Sequence, residues 1–348
     1  MINLFRVVRW GAAFLMAAGI TAGAAQPLEP LRFAQPFVPI DAALQNQALG
    51  RGVNVLGYDP IWKDPAKARF KAEYFKLIHD AGFQHVRFVL FSFDFMDGTG
   101  KLDPTWLATL DTMVKAAVDQ GLIVILDEHD FLLCADDAVT CKTKLHAFWS
   151  QIAPRYRDAP KNVIFELLNE PHGAITDDAW NKMLADTLAL VRTTNPQRNI
   201  VIGGGQWNGL EGLATLKLPE NDRHIIATFH YYHPMAFTHQ GAAWAPKDVQ
   251  TLSNVPWGSD ADFALLNGEF DVVKAWSAAQ NRPILLGEFG AYDKAPLEYR
   301  VKWDAAVARA AETRGFSWSY WQFDSNFVLY DIEKQAFVAP ILNALIPK

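Results

Sequence analysis

Two textures alternate along this chain. Short, nearly unbroken apolar runs fall at 52–57, 85–91, 122–128, 162–169, 199–204, 224–230, 283–288 and 316–322, each bounded by turn residues. Runs of that length and kind predict strands buried on both faces. Between them lie longer stretches with apolar residues at helical spacing. The clearest predict helices over 66–81, closing at Gly82, over 104–120, opening after Asp103 and closing at Gly121, and over 177–194 and 296–314. Eight strand patterns with helical patterns between them predict an α/β fold, most naturally a single (β/α)8 TIM barrel. A doubly wound open sheet is the alternative. Against it, the first strand–helix turn lacks a G-x-G-x-x-G fingerprint, and Gly203-Gly-Gly205 stands as an isolated glycine cluster.

No low-complexity linker divides the chain after residue 50. The organisation read from sequence is a catalytic barrel over 51–348, a Pro- and Ala-rich lead-in over 26–50 that wraps it, and a secretory signal over 1–25. Arg6 and Arg9 form the positive start of that signal, 11–20 its short apolar stretch, and Ala22-Gly-Ala24 a small-residue cleavage site. The apolar stretch is short for a membrane span, and an uncleaved anchor stays open as the alternative. Cleavage takes the formal charge from −6 to −8. There is no basic run, which argues against a nucleic-acid surface. The expectation is a secreted or periplasmic monomer without membrane association after cleavage. Cys134 and Cys141, the two cysteines of the chain, share one loop region. In an exported protein such a pair forms a local disulfide; two free thiols are the alternative, and zinc needs more ligands than the pair supplies.

Polar residues collect at strand ends. Asn162-Val-Ile-Phe-Glu-Leu-Leu-Asn-Glu-Pro171 is an apolar strand cut off by Pro171, which cannot donate to a ladder, so Asn169 and Glu170 stand at its C-terminal end. Pro283-Ile-Leu-Leu-Gly-Glu288 repeats the design. Arg87 lies on the second strand, Asp127-Glu-His-Asp130 ends the third, His230-Tyr-Tyr232-His233 ends the sixth, and Trp318, Tyr320 and Trp321 lie on the eighth. Barrels of this kind keep their active sites at the C-terminal strand ends, and two glutamates delivered there point to paired-carboxylate chemistry.

Arg87, His129, Leu168-Asn-Glu-Pro171, His230-Tyr-Tyr232, Gly287-Glu288 and Trp321, in that order on those strands, resemble glycoside hydrolase family 5, the cellulase family, from about residue 50 to the C-terminus. The resemblance implies a (β/α)8 barrel, retaining hydrolysis of β-linked polysaccharides, and no cofactor. It implies Glu170 as general acid/base and Glu288 as nucleophile. Asn169 is then expected against the sugar 2-hydroxyl, Arg87 beside Glu288 to keep it ionised, and His230 and Tyr232 holding the two glutamates. His129 is expected to contact substrate and Trp321 to stack under the reacting sugar. A guanidinium lowers a carboxyl's pKa while burial or a second negative charge raises it, so the Glu288 charge is expected to keep Glu170 protonated. Asp127, Glu128 and Asp130 read as supporting or solvated acids. Glu166 faces either the barrel or the helix layer and has no assigned role. His224, His230, His233 and His239 follow no ligand pattern such as H-E-x-x-H, so no metal is expected.

Many of the 12 tryptophans and 23 phenylalanines fill a core, but flat rings at strand ends also stack on sugar faces. Trp62, after the first strand, and Trp207, after the fifth, are candidate stacking subsites. Residues 231–262 form the longest insertion, and its Phe237-Thr-His-Gln-Gly-Ala242 run resembles a segment of bacterial endoglucanases of the family. A rim of several aromatics favours endo action on a β-1,4-glucan. A β-mannan or mixed-linkage glucan is the alternative substrate, and a catalytically inert glycan-binding barrel the non-enzyme reading.

Overall fold

The computed structural model describes residues 32–348. The signal read over 1–25 therefore lies outside the described residues. The chain runs α1 (Ala42–Leu49), β1 (Arg51–Val55), α2 (Tyr74–Asp80), β2 (His85–Leu90), α3 (Pro104–Asp119), β3 (Ile123–Glu128), α4 (Phe131–Asp136), α5 (Ala138–Arg155) and β4 (Val163–Glu166). It continues through α6 (Asp177–Arg192), β5 (Ile200–Gly203), α7 (Leu210–Thr215), β6 (Ile225–Tyr231), α8 (Met235–Thr238), α9 (Lys247–Gln250) and α10 (Asp260–Gln280). β7 (Ile284–Phe289), α11 (Leu297–Thr313), β8 (Ser317–Tyr320), a small hairpin of β9 (Tyr330–Asp331) and β10 (Ala336–Phe337), and α12 (Ala339–Leu345) complete it. β1 to β8 form a closed barrel in chain order, and β1 pairs in parallel with β8, Gly52 opposite Ser319.

Each expected strand is present, with its limits shifted by a few residues at most. The helix expected over 66–81 is much shorter. Asp59 accepts the backbone N–H groups of Ile61, Arg69 and Phe70, and short 3-10 turns at Pro60–Trp62 and Pro65–Lys67 hold the chain until α2 begins. Side-chain capping of turn residues competes here with helix propagation. α10, by contrast, starts on a capping box between Ser259 and Asp262.

α1 closes the bottom of the barrel, where Ala42 and Leu49 pack against the inward-facing Ile123, Ile125, Ile164, Val201, Ile226 and Leu285. Asn46 accepts the Ser317 hydroxyl, and His85 Nδ1 meets the Leu49 carbonyl at 2.7 Å. Gly52 is required beside this contact, because a Cβ there would stand 2.2 Å from the His85 ring. The outward faces of the strands and the inner faces of the helices make the main apolar cluster, with Trp106, Trp149, Trp180, Trp303 and Trp318 fully buried. Inside the barrel the upper level is polar: Asn54, Arg87, Asp127, Glu166 and Glu288 come from β1, β2, β3, β4 and β7. Glu288 reaches that level through a register shift. Leu286 pairs with Phe229 but Glu288 with His230, so Gly287 is an extra residue that re-aims the carboxylate.

Candidate active site

Arg87 organises the upper level. Its Nε and Nη2 donate to the two oxygens of Glu166 at 2.7 and 2.9 Å, and Nη2 also to Asn169 Oδ1 at 2.8 Å. Nη1 donates to Glu288 Oε1 at 2.8 Å and to Asn54 Oδ1 at 2.9 Å, while Asp127 Oδ2 lies 3.1 Å from Nη2. Burial opposes the charge, but Asp127, Glu166 and Glu288 outweigh it and hold the guanidinium protonated. Glu166 thus acquires the partner the sequence left open. Its signal was a charge inside an apolar strand, which has to point inward to a counter-ion. Asn54 was missed; its amide donates to the carbonyls of Gly287 and Tyr320.

The hydrogen-bond order fixes proton positions. Asn169 Oδ1 accepts from Arg87, so its Nδ2 faces His129 Nε2, 3.2 Å away, as donor. His129 Nε2 is then the acceptor, and Nδ1–H donates to Asp127 Oδ2 at 2.5 Å. Burial pushes His129 down to about 3, so the ring is neutral, and pushes Asp127 up to about 7 against the pull of Arg87. The other two acids of that run are supporting groups. Glu128 is buried and accepts the Ser92 hydroxyl at 2.6 Å, and Asp130 accepts the N–H groups of Ser92 and Phe93 at 2.8 Å each, so both shape the loop after β2.

Glu170 follows β4 with φ of 42°, a left-handed conformation that a non-glycine residue adopts at a cost and that recurs at functional sites. Its Oε1 lies 2.7 Å from His230 Nδ1, which is 3.7 Å from Glu288 Oε2. Tyr232 donates its hydroxyl to Glu288 Oε2 at 2.9 Å. A Cβ at Gly287 would come within 2.9 Å of His230 Nε2, so glycine there makes room for the ring. Oxygens of Glu170 and Glu288 and the His230 nitrogen lie within 4.8 Å of one another. Burial pushes Glu170 up to about 7, with Arg87 and His172 opposing and Asp127 and Glu166 adding. The charge of Glu288 was expected to be the cause; burial is, followed by the charges of Asp127 and Glu166. Burial also raises Glu288, while the Arg87 charge draws it back toward the charged form. His230 is pushed down to about 4 by burial and is neutral.

Around this centre the aromatics sort themselves. Trp321 lies parallel to the His129 ring at 5.6 Å and 9°, in a small cluster with Tyr292 and Phe327. Trp207 is 52% exposed and stacks on His172 at 4.3 Å. Gln206, Trp207 and Asn208 are all left-handed, and Trp207 borders a cavity of about 680 Å³ lined also by His172, Asp177, Asn181 and Lys217. Trp62 corrects the sequence reading. It is buried in the main core against Trp106 and donates its indole N–H to the Leu56 carbonyl at 3.0 Å, so it offers no face to a cleft. The exposed aromatic after β1 is Tyr58, which no pattern had singled out.

The four histidines do not gather. His230 stands between the glutamates, His233 pairs with Glu269, and His239 contacts Thr238. Cys134 and Cys141 form a disulfide joining α4 to α5. Among the described residues no helix is long and apolar enough to cross a membrane.

Residues 46–327 match the family model for cellulase, glycosyl hydrolase family 5. Endoglucanase H of Acetivibrio thermocellus is 34% identical over 250 residues, covering 70% of this chain and 26% of that protein. Endoglucanase 3 of Fibrobacter succinogenes is 26% identical over 362 residues, covering 86% of this chain and 54% of its own length. The chain thus spans about a quarter and about half of these two curated relatives. Thermotoga maritima Cel5A, solved with mannotriose and with cellobiose, superposes with a TM-score of 0.84 at 36% identity, over 88% of this chain and 100% of that one.

Proposed function

Because the chain belongs to the cellulase family, glycosyl hydrolase family 5, we propose that it is an exported endo-β-1,4-glucanase working by double displacement on Glu170 and Glu288. The observation that carries this reading is the spacing of the two carboxylates, whose oxygens lie within 4.8 Å. Retaining pairs sit roughly 5–5.5 Å apart and inverting pairs roughly 6.5–9.5 Å.

In the first step Glu288 attacks the anomeric carbon while Glu170 gives its proton to the glycosidic oxygen. The carbon–oxygen bond breaks and a glycosyl ester forms on Glu288. In the second, Glu170 takes a proton from water, the water oxygen attacks the same carbon, and Glu288 leaves. Arg87 and Tyr232 hold Glu288 ready for attack, and His230, with Nδ1 2.7 Å from Oε1, steadies Glu170. Asn169 has a second amide N–H free for the sugar 2-hydroxyl, and Trp321 supplies the apolar face for the reacting ring. His129 acts beside them by fixing Asn169. Trp207 extends the cleft on the leaving-group side, beyond Glu170.

A β-mannan is the second reading, since Thermotoga maritima Cel5A has been solved with mannotriose as well as with cellobiose. Reducing-sugar release from carboxymethyl cellulose, barley β-glucan, glucomannan and galactomannan separates the two, with Glu170→Gln and Glu288→Gln in parallel. Release from the glucans, cut by about 10²-fold or more by either substitution, is the expected result. Release chiefly from the mannans keeps the mechanism and changes the substrate. Activity untouched by both substitutions ends the proposal. A β anomer as the first product in proton NMR checks retention, and the mass of the exported protein checks cleavage within 1–25.

A further inference from the structure

The loop after β1 is strained at two positions. Leu56 and Tyr58, neither of them glycine, have φ of 66° and 61°. Left-handed non-glycine residues cost on the order of 1–3 kcal/mol each and persist where the surroundings hold them. Trp62 does so from below through the Leu56 carbonyl. From the side, Gly57 lies against Gln322, whose Oε1 would be 2.8 Å from a Cβ there. The loop is thereby locked to the residue that follows Trp321. Its product is a tyrosine 66% exposed, with its ring against Phe91 at 4.9 Å. Phe91 meets His129 at 5.2 Å, and His129 lies parallel to Trp321, so the rings form one continuous wall from Trp321 out to Tyr58.

The direction of that wall follows from the chemistry. An acid protonates the leaving oxygen, so the leaving group extends past Glu170 toward the tops of β4 and β5. The glycone extends the other way, past Glu288 and Trp321 to the tops of β1 and β2. We propose that Tyr58, backed by Phe91, is the platform for a glycone-side sugar beyond the one being transferred, and so sets how much the enzyme gains from chain length on that side. The inference rests on the proposed hydrolysis of β-glucans.

The test is kcat/KM on aryl β-glucoside, aryl β-cellobioside and aryl β-cellotrioside for the wild type, Tyr58→Ala, Tyr58→Phe and Tyr58→Trp. Each enzyme serves as its own reference through the factor gained per added sugar. Tyr58→Ala should cut that factor by about three- to tenfold, the worth of an aromatic stacking contact, while Phe and Trp retain most of it. An equal loss on all three substrates means the loop only supports Glu288 and overturns the proposal, as does an unchanged factor. A wild type that releases no aglycone from any of them fails the glucanase reading itself and removes the subsite with it.

Discussion

Arg87 touches Asn54, Asp127, Glu166, Asn169 and Glu288 and is 0% exposed, so one guanidinium serves three buried carboxyl groups within the barrel. Breaking a buried pair on one side typically costs about 3–5 kcal/mol. Arg87→Leu should therefore lose at least that much in a urea titration, and Arg87→Lys, which keeps charge but not the fork, should still lose activity. Glu170 gives a pH prediction. Its folded pKa, about 7, lies above the ordinary 4.5 because of burial, so the folded state holds the proton more tightly than the unfolded chain. The residue costs nothing below 4.5 and destabilises progressively as pH rises to about 7. Glu170→Gln should accordingly be more stable than the wild type at pH 8 and not at pH 4, by on the order of 3 kcal/mol in thermal or urea unfolding. The wild type should lose kcat/KM above a pH near 7, where the acid is spent. Both glutamates, Asn169, His230 and Tyr232 were legible as polar residues at the ends of apolar runs, and Arg87 as a charge inside one. Tyr58 was not legible, and Trp62 was misread, for a common reason. Two left-handed residues decide which ring faces out, and neither is a glycine that would have marked the spot.

At the scale of elements, strands were more legible than helices, since a barrel strand buried on both faces leaves a short, nearly continuous apolar run between turn residues. Capping side chains such as Asp59 rewrote the region over 66–81, and α5 and α10 have mixed faces that hid their limits. Trp62→Phe keeps the ring and removes only the bond to Leu56. It should cost about 1–2 kcal/mol and lower the gain from glycone length along with Tyr58→Ala, in the same aryl-glycoside series. The disulfide acts on the opposite wall. Ala135, on the helix it ties down, accepts the Ala174 N–H at 2.7 Å and presses on Gly173, three positions past Glu170. Replacing Cys134 and Cys141 by serine should lower stability by about 2 kcal/mol, read from the urea midpoint.

For the molecule as a whole, the sequence placed the barrel's start near residue 51, but α1 belongs to the same folding unit. A chain beginning at residue 51 leaves His85 without the Leu49 carbonyl and bares the floor packed on Ala42 and Leu49. It should unfold on the order of 5 kcal/mol sooner in denaturant than the chain from residue 32. The floor has a geometric consequence too. α1 sits at the end of the barrel remote from Glu170 and Glu288. α12 packs along α11, with Ile346 beside Gly82 in the turn that enters β2 from below. Both ends of the described chain thus leave from the same pole. Whatever is joined at either one, a bead, a surface or another protein, holds the molecule by its base and leaves the end that carries Glu170 and Glu288 facing outward.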